Sequence, residues 1–207
     1  MTHEGRPNQR ERFGDYYAAP RPPWDIGRPQ RPFVEAADLI GDRVLDSGCG
    51  TGDLAIWLAE RDRAVTGVDF LAAPLEAARR KARDRGVAVA FLEMDALAVG
   101  EIPERFDAVT DCGLFHSFDD PSRAAYVRGL ARLLEPGARV FILCMSDAEP
   151  GEHGPRRIRE EELREAFADG WQVESVEPAR FEVVPGIPGL EFTPGGAKAW
   201  FAVVRRA

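Results

Sequence analysis

A glycine-rich segment at residues 44–52 is the part of this sequence whose residue types and spacing most directly suggest chemistry. Gly48, Gly50 and Gly52 follow a short apolar run with the spacing G-x-G-x-G. Glycine lets the backbone turn sharply and approach a ligand without an intervening Cβ atom. Where a helix begins after such a turn, its free N–H groups favour a bound carboxylate. The segment therefore predicts a cofactor site between a strand and a helix.

Acidic residues accompany this turn and the ends of the next two apolar runs. Asp46 precedes the first glycine, and Asp69 and Asp95 each follow a later run. Ligands of open α/β sheets bind beyond the carboxyl ends of the strands, where an acidic side chain such as Asp69 can accept both hydroxyls of a ribose. Phe70 can flank an adenine ring, and Asp95 can accept from its amino group. Any one of these acids can be a solvated strand end, but together they predict a nucleoside cofactor.

Two classes of cofactor compete for the glycine turn. A dinucleotide site would show the spacing G-x-G-x-x-G, and Asp46 would repel its pyrophosphate. A nucleoside with its own positive charge would be attracted to the same carboxylate. The residues favour the cationic cofactor and leave a nicotinamide-dependent oxidoreductase as an alternative.

The rest of the chain supplies the elements that must position these residues. Apolar runs that read as strands lie at residues 44–45, 64–68, 87–92, 106–110 and 139–144. Segments with helical spacing separate them, which is typical of βαβ units in a doubly wound sheet. Two final strands, 171–184 and 197–204, have no helix between them and are expected to pair antiparallel at the sheet edge.

Length and composition bound the domain organisation. The chain has 207 residues, 44% of them hydrophobic and 30% charged, which suits one globular domain. We predict a disordered tail over residues 1–12 and a single domain over 13–207. Residues 13–33 are too apolar for a linker and too rich in proline for a long helix. We interpret them as a lid segment, with a helix packed on the outside of the core as the alternative.

Charge and cysteine content limit the partners. A net charge of −8 disfavours nucleic acid as a partner, and no apolar run is long enough to predict a membrane span. The polar N-terminus lacks the apolar core of a secretory signal, which favours the cytoplasm. The three cysteines lack the spacing of metal ligands, so no metal is expected.

With these residues, the sequence resembles the class I S-adenosylmethionine-dependent methyltransferases. The resemblance covers residues 13–207. It implies a Rossmann-like, seven-stranded sheet with an antiparallel last strand, and S-adenosylmethionine as the cofactor. Carried over, the cofactor would be held by Asp46, Gly48, Gly50, Gly52, Asp69, Phe70, Asp95 and Ala96.

A narrower resemblance lies outside the glycine turn. Residues 23–30, with the sequence PWDIGRPQ, look like the N-terminal signature of the thiopurine, thiol and halide methyltransferase group. They also look like bacterial relatives that methylate heterocyclic toxins and quinolones, and residues 106–112 and 151–156 match the group too. This resemblance implies that Trp24 lines the cofactor and that the residue at Cys112 touches it.

The acceptor side is predicted from residues after the fourth strand. His116 is our candidate general base, because imidazole titrates near working pH and such a base contributes about 10²–10⁴-fold. A hydrogen-bonded histidine in the pocket wall is the alternative. Tyr17 and Phe115 are expected to contact the acceptor. Arg156 is expected to hold an anionic acceptor, with a lid salt bridge or a solvated turn as alternatives.

Together these residues predict an enzyme that transfers a methyl group from S-adenosylmethionine to a thiol, hydroxyl or heterocyclic nitrogen of a small molecule. In-line transfer mainly requires that nucleophile and methyl be held about 3–3.5 Å apart and shielded from water. Besides the oxidoreductase, a non-catalytic domain that binds the same cofactor remains an alternative.

Overall fold

We analysed a computed structural model of the protein, which describes residues 9–18, 21–187 and 190–207. The helices of these ranges are α1 (Gln9–Ala18), α2 (Arg31–Glu35), α3 (Asp53–Ala59), α4 (Ala72–Arg85), α5 (Asp120–Leu133) and α6 (Glu160–Ala166). The strands are β1 (Arg43–Ser47), β2 (Ala64–Asp69), β3 (Ala90–Glu93), β4 (Phe106–Cys112), β5 (Leu134–Met145), β6 (Trp171–Phe181) and β7 (Ala197–Arg206). Short 3₁₀ helices cover Ala37–Leu39, Ala96–Glu101 and Phe115–Ser117.

The strands form one seven-stranded sheet in the order β3-β2-β1-β4-β5-β7-β6. Strands β1 to β5 pair in parallel, and β7 pairs antiparallel with both β5 and β6. This confirms the predicted Rossmann-like sheet with an antiparallel last strand. The strand order reverses between β1 and β4, and sheets of this kind bind ligands in the crevice at that point.

Side chains that alternate along the central strands build a core on each face of the sheet. In β1, Val44 packs in one apolar cluster and Leu45 in the other; in β5, Phe141 and Ile142 divide in the same way. This follows from the two-residue period of a strand. Strands buried on both faces are continuously apolar, which is why β4 and β5 carry almost no charge in their centres.

Several predicted boundaries differ from the structure; β5, for example, begins at Leu134 and not at residue 139. Helix α1 begins at Gln9, so residues 9–12 are helical; the rest of the predicted tail, residues 1–8, lies outside the described residues. Strand β3 begins at Ala90 because the Val87 N–H caps α4 by donating to the Ala82 carbonyl at 3.1 Å. Strand β6 ends at Phe181 because the Val184 N–H donates instead to Pro23.

Candidate active site

A cavity of about 740 Å³ lies at the carboxyl ends of the parallel strands. This is the size of a site for a drug-sized ligand. The glycine turn, the N-terminal segment, the β4–α5 connection and the loops after β5 and β6 all contribute to its wall. The predicted site residues that line it are Tyr17, Trp24, Asp46, Gly48, Gly50, Asp69, Phe70, Ala96, Cys112, His116 and Arg156.

The glycine turn reaches the cavity through two of its glycines. Gly48 and Gly50 have φ angles of +71° and +53°, in the left-handed region. A Cβ atom at Gly48 would lie 3.2 Å from Leu114, and one at Gly50 would lie 2.7 Å from the Tyr17 hydroxyl. The absence of side chains therefore lets Leu114 and Tyr17 pack closely on the turn, and the backbone of both glycines lines the cavity, where a ligand can approach it.

Gly52, the third glycine, does not line the cavity. Its φ is +80°, and a Cβ atom there would lie 2.8 Å from the Ala78 Cβ and 3.1 Å from the Phe91 ring. Gly52 is thus required by the turn and by the packing of α3 on its neighbours. The expectation that it contacts the cofactor is corrected accordingly.

Asp69 organises the turn at the end of β2. Only 6% of the residue is exposed. One carboxylate oxygen accepts from the Gly50 N–H and the other from the Leu71 N–H, each at 3.0 Å. Because an ionised carboxyl has about four acceptor positions, Asp69 can hold both the turn and the hydroxyls of a ribose. Phe70, Met94 and Ala96 complete this part of the wall.

Asp95, in contrast, is exposed and lies outside the cavity wall. Its Oδ1 atom accepts from the Leu97 N–H at 2.9 Å and caps the 3₁₀ helix that begins at Ala96. The predicted contact of this carboxylate with adenine therefore finds no support in the side-chain position. The neighbouring residue Ala96 reaches the wall instead.

Burial governs the charge of the acids behind the turn. Asp46 is 2% exposed and accepts from the Thr110 hydroxyl at 2.8 Å, yet burial raises its pKa to about 7. Burial likewise raises the pKa of Asp111 to about 7. A cationic ligand in the cavity would favour the ionised form of Asp46. Burial also raises the pKa of the Cys112 thiol, so this wall residue is neutral.

Aromatic residues of the N-terminal segment cover the same end of the cavity. The Trp24 ring meets the edges of Phe13 and Tyr16 at centroid distances of 5.6 and 5.0 Å, and its Nε1–H donates to the Tyr17 hydroxyl at 3.4 Å. Phe13 in turn contacts the Phe70 ring at 5.9 Å. These contacts place the segment over the cavity and support the interpretation as a lid.

The PWDIGRPQ motif has a structural explanation that sequence analysis missed. Asp25 accepts from the Thr51 hydroxyl at 2.8 Å and so ties the lid to the glycine turn. Lys81 of α4 donates to Thr51 and Asp53, each at 2.7 Å. Lys81 is one of only two lysines in the chain. The rarity of lysine is the sequence signal that could have indicated a specific structural role for Lys81.

The end of the same motif joins the lid to the opposite wall. Arg28 forms a bidentate pair with the Glu182 carboxylate at 3.1 and 2.7 Å. The Gln30 side chain donates to the Glu182 carbonyl and accepts from its N–H, both at 2.8 Å. The lid is therefore held at both ends, by the glycine turn and by the chain after β6.

His116 lies in the wall beyond the glycine turn and is 7% exposed. The Met145 backbone N–H donates to its Nδ1 atom at 2.9 Å. Burial, with the charge of Arg157, lowers the pKa of the imidazole to about 3. This geometry argues against the predicted general base and agrees with the alternative of a hydrogen-bonded wall histidine.

Phe115 does not contact the cavity. It is fully buried and stacks on Phe167, with ring centroids 6.0 Å apart, while the Arg123 guanidinium covers it at 4.9 Å. In the short 3₁₀ helix, consecutive side chains point in different directions. His116 therefore faces the cavity and Phe115 the core, so the position of Phe115 gives no support to its predicted substrate contact.

Arg156 lines the cavity but its charge is already paired. Its guanidinium donates to Asp120 and Glu162, two carboxylates outside the wall. The predicted anionic acceptor is not supported, and the alternative of a lid salt bridge describes the contact. The adjacent Arg157 donates to the carbonyls of Pro155 and His153 at 2.7 and 2.9 Å and so shapes the loop after β5.

Apolar side chains from the β4–α5 connection, β5, β6 and the loop after it form much of the wall around His116: Leu114, Phe118, Met145, Phe181, Val183, Leu190 and Phe192. Polar and charged side chains also line the cavity, among them Ser117, Asp119, Glu152 and Arg156. Within the described residues, no group of His, Cys, Asp and Glu side chains has the arrangement of a metal site. Among the helices of these residues, none combines the length and hydropathy needed to cross a membrane.

The fold and the cavity define a Rossmann-like protein with a nucleoside site at the carboxyl edge of its sheet, and comparison with known proteins makes the class specific. Residues 44–137 match the family described as a methyltransferase domain. The chain is 35% identical over 186 residues to the 2-heptyl-1-hydroxyquinolin-4(1H)-one methyltransferase of Mycobacteroides abscessus, covering 87% of this chain and 80% of that protein.

Two further matches agree. One is the chain in the structure reported as "Conversion of a Disulfide Bond into a Thioacetal Group during Echinomycin Biosynthesis", with 36% identity, a TM-score of 0.82 and coverage of 96% of this chain and 91% of that chain. The other is the ubiquinone biosynthesis O-methyltransferase of Pseudomonas aeruginosa (strain LESB58), 40% identical over 109 residues. That match spans 52% of this chain and 46% of that protein.

The chain belongs to the class I S-adenosylmethionine-dependent methyltransferases. It is an enzyme that uses S-adenosylmethionine as its cofactor, as the glycine spacing and Asp46 indicated. The alternatives of a nicotinamide-dependent oxidoreductase and of a non-catalytic binding domain are set aside.

Proposed function

We propose that the protein methylates a hydroxyl oxygen of a small, largely apolar acceptor with an aromatic or heterocyclic ring. The observation that carries this proposal is the shape of the cavity. One continuous space of about 740 Å³ joins the glycine turn to the apolar wall around Leu114, Met145 and Phe181. A space of this kind suits a polar cofactor at one end and an apolar ring at the other.

The residues present fit the cofactor. Gly48 and Gly50 line the cavity with backbone and no side chain, Asp69 is a buried carboxylate with free acceptor positions, and Phe70 and Ala96 offer apolar surface for an adenine ring. When bound, S-adenosylmethionine supplies a methyl group on a positively charged sulfur. We propose that Asp46 compensates part of that charge.

The chain itself binds, orients and excludes water. Trp24 and Tyr17 cover the cavity, and Asp25 joins this cover to the glycine turn through Thr51. Burial raises the pKa of Tyr17, so its hydroxyl stays neutral in the wall. Alignment of the acceptor oxygen with the methyl carbon, shielded from water, is the main catalytic contribution expected in such a site.

The names of relatives support oxygen as the methylated atom. The Mycobacteroides abscessus relative is named for a hydroxyquinolinone, and the Pseudomonas match is named an O-methyltransferase. Sulfur is the second candidate, favoured by the likeness to the echinomycin structure, which concerns a disulfide and a thioacetal.

The test is release of S-adenosylhomocysteine with three matched acceptors: 2-heptyl-1-hydroxyquinolin-4(1H)-one, the same compound without its N-hydroxyl group, and an aromatic thiol of similar size. We expect methylation of the first compound only, with the methyl group located on oxygen by mass spectrometry. Faster turnover of the thiol would favour the second candidate. Cofactor binding without turnover of any of the three would overturn the proposal.

A further inference from the structure

The hydrogen bond between the Met145 backbone and His116 fixes where the imidazole carries its proton. A backbone N–H can only donate, so the Nδ1 atom that it meets at 2.9 Å must offer a lone pair. A neutral imidazole has one N–H group, which then has to be on Nε2. His116 therefore presents a donor and not an acceptor at its second nitrogen.

The surroundings keep the imidazole in this form. A second proton would be placed on Nδ1, directly against the Met145 N–H, and would break the bond between them. The charged ring would also be buried and exposed to the field of the Arg157 guanidinium. Neither nitrogen is thus available to take a proton from an acceptor hydroxyl.

The Nε2–H group lies beside several apolar side chains of the cavity wall, while Ser117, Asp119, Glu152 and Arg156 line other parts of the cavity. His116 lines the cavity beside Leu114, Met145 and Phe181, and its ring lies 5.9 Å from that of Phe181. Among the residues that the structure describes, none bonds the Nε2 atom. A largely buried donor without a protein partner discriminates between ligands, because a ligand that cannot pair with it leaves a polar group unsatisfied.

We propose that His116 is a specificity-determining donor: its Nε2–H group bonds the ionised oxygen of the methyl acceptor and selects acidic hydroxyls. N-hydroxy heterocycles and acidic phenols are the acceptor class, and alkyl alcohols are excluded because no base is present at this position to remove their proton. This inference rests on the proposed function and deepens it.

The reaction balances without a protein base. The acceptor hydroxyl loses its proton to water before or during binding, and the resulting oxyanion accepts from His116. A new bond forms between this oxygen and the methyl carbon as the carbon–sulfur bond breaks, and its electron pair remains on the sulfur. The imidazole holds the same single proton throughout.

The main test is the dependence of kcat on pH, measured at saturating acceptor so that it reports ionisation in the bound complex, with a series of substituted phenols of graded acidity. We expect the midpoint of each profile to follow the acidity of the phenol and to lie below its value in water, because a hydrogen bond to the charged form favours ionisation. A midpoint that stays at one pH for every phenol would indicate an enzyme base and overturn the proposal.

Two variants separate the donor from a structural role. His116→Gln retains an amide oxygen for Met145 and an N–H donor for the acceptor, and we expect kcat/KM within about tenfold of the wild type. His116→Leu removes the donor, with an expected loss of roughly 10–100-fold in kcat/KM and a midpoint of the kcat profile returned towards the pKa of the phenol in water. Equal losses in both variants, with unshifted midpoints, would overturn the proposal.

A measurement without the acceptor distinguishes failure of this inference from failure of the proposed function. ¹⁵N NMR of the histidine rings in the intact protein with bound S-adenosylhomocysteine should show protonated Nε2 and unprotonated Nδ1 from pH 5 to 8. The opposite tautomer, or titration of His116 within this range, would overturn the donor role even if methylation occurs. If no phenol or N-hydroxy compound is methylated but the tautomer is as expected, the acceptor class is wrong and the proposed function fails with it.

Discussion

Two regions meet at the cavity and are held in place by different means. The turn region, residues 46–53 and 69–71, is fixed by backbone bonds, such as the Cys49 N–H donating to the Val68 carbonyl at 2.9 Å, and by buried side-chain bonds, such as that from the Thr110 hydroxyl to Asp46. The loop region, residues 21–30, 145–157 and 182–187, depends more on partly exposed side-chain bonds, several of which join distant parts of the chain. Arg28 and Glu182, for example, are 154 residues apart.

This difference separates the roles that the two regions can have. The backbone at the ends of packed strands has little conformational freedom. The turn region therefore suits the cofactor, which stays the same whatever the acceptor. Partly exposed side-chain bonds contribute little each and can be exchanged without loss of the sheet. We infer that the loop region is where acceptor preference can vary, and the following predictions test this contrast.

The largest effect is expected from crowding the turn. Gly52→Ala places a Cβ atom 2.8 Å from the Ala78 Cβ at a φ of +80°, so we expect the free energy of unfolding to fall by about 3 kcal/mol from strain and overpacking together. Gly86→Ala is the matched control, because its φ is +69° with no atom within 4 Å, and it should cost about 1 kcal/mol. Urea unfolding measures both. Equal losses would mean that the packing around Gly52 is not rigid.

The next effect concerns cofactor affinity. In Asp69→Asn the side-chain amide can accept from only one of the Gly50 and Leu71 N–H groups, since its nitrogen donates. We expect the Kd for S-adenosylmethionine to rise about 100-fold, as for loss of a hydrogen bond to a charged group. Calorimetry measures this, with Asp84→Asn on the exposed side of α4 as the control. An unchanged Kd would show that Asp69 only shapes the apo turn.

A third prediction concerns the boundary between the regions, where Asp111 accepts from the Leu114 and Phe115 N–H groups through one oxygen. Its folded-state pKa, about 7, lies above the ordinary value of 3.8 because of burial. The folded protein therefore binds this proton more tightly than the unfolded chain. The contribution of this group to stability falls as pH rises from about 4 to about 7 and changes no further above that range.

Asp111→Asn keeps the accepting oxygen and removes the ionisation. We expect the free energy of unfolding of the cofactor-free variant to depend less steeply on pH than that of the wild type, and the variant to be at least as stable at pH 8. Thermal or urea unfolding between pH 5 and 8 measures the difference, with Asp84→Asn on the exposed side of α4 as the control. If the free energy of unfolding depends on pH equally steeply in Asp111→Asn and the wild type, burial does not raise the pKa of Asp111 in the way described.

The same contrast explains what the sequence could predict. The alternation of apolar runs, the G-x-G-x-G spacing and Asp69 are local patterns, and the sheet and the turn follow from them. Asp25 with Thr51, and Gln30 with Glu182, depend on chain segments that only the complete fold brings together. The sequence therefore indicated a functional role for residues 23–30 without indicating which residues they contact.

The errors on the acceptor side have the same origin. Phe115 and His116 are adjacent, and no sequence period tells which of them faces the core in a three-residue helix. The chemistry of His116 depends on a backbone N–H from β5, 29 residues away. Arg156 has the composition of an anion-binding residue, but its two carboxylate partners lie on α5 and α6.

The smallest effect is expected in the loop region. Arg28→Gln removes the bidentate pair with Glu182, whose side chains are 55% and 30% exposed, so the free energy of unfolding should change by less than about 1 kcal/mol. Because the pair joins the lid to the wall after β6, we expect KM for the acceptor to rise about threefold, from loss of part of this pairing energy, with the Kd for the cofactor unchanged. Arg31→Gln is the control, since its pair with Glu35 lies within α2 and joins no segments. A large change in cofactor affinity for Arg28→Gln, absent in Arg31→Gln, would show that the two regions are coupled through the lid and would remove the distinction between them.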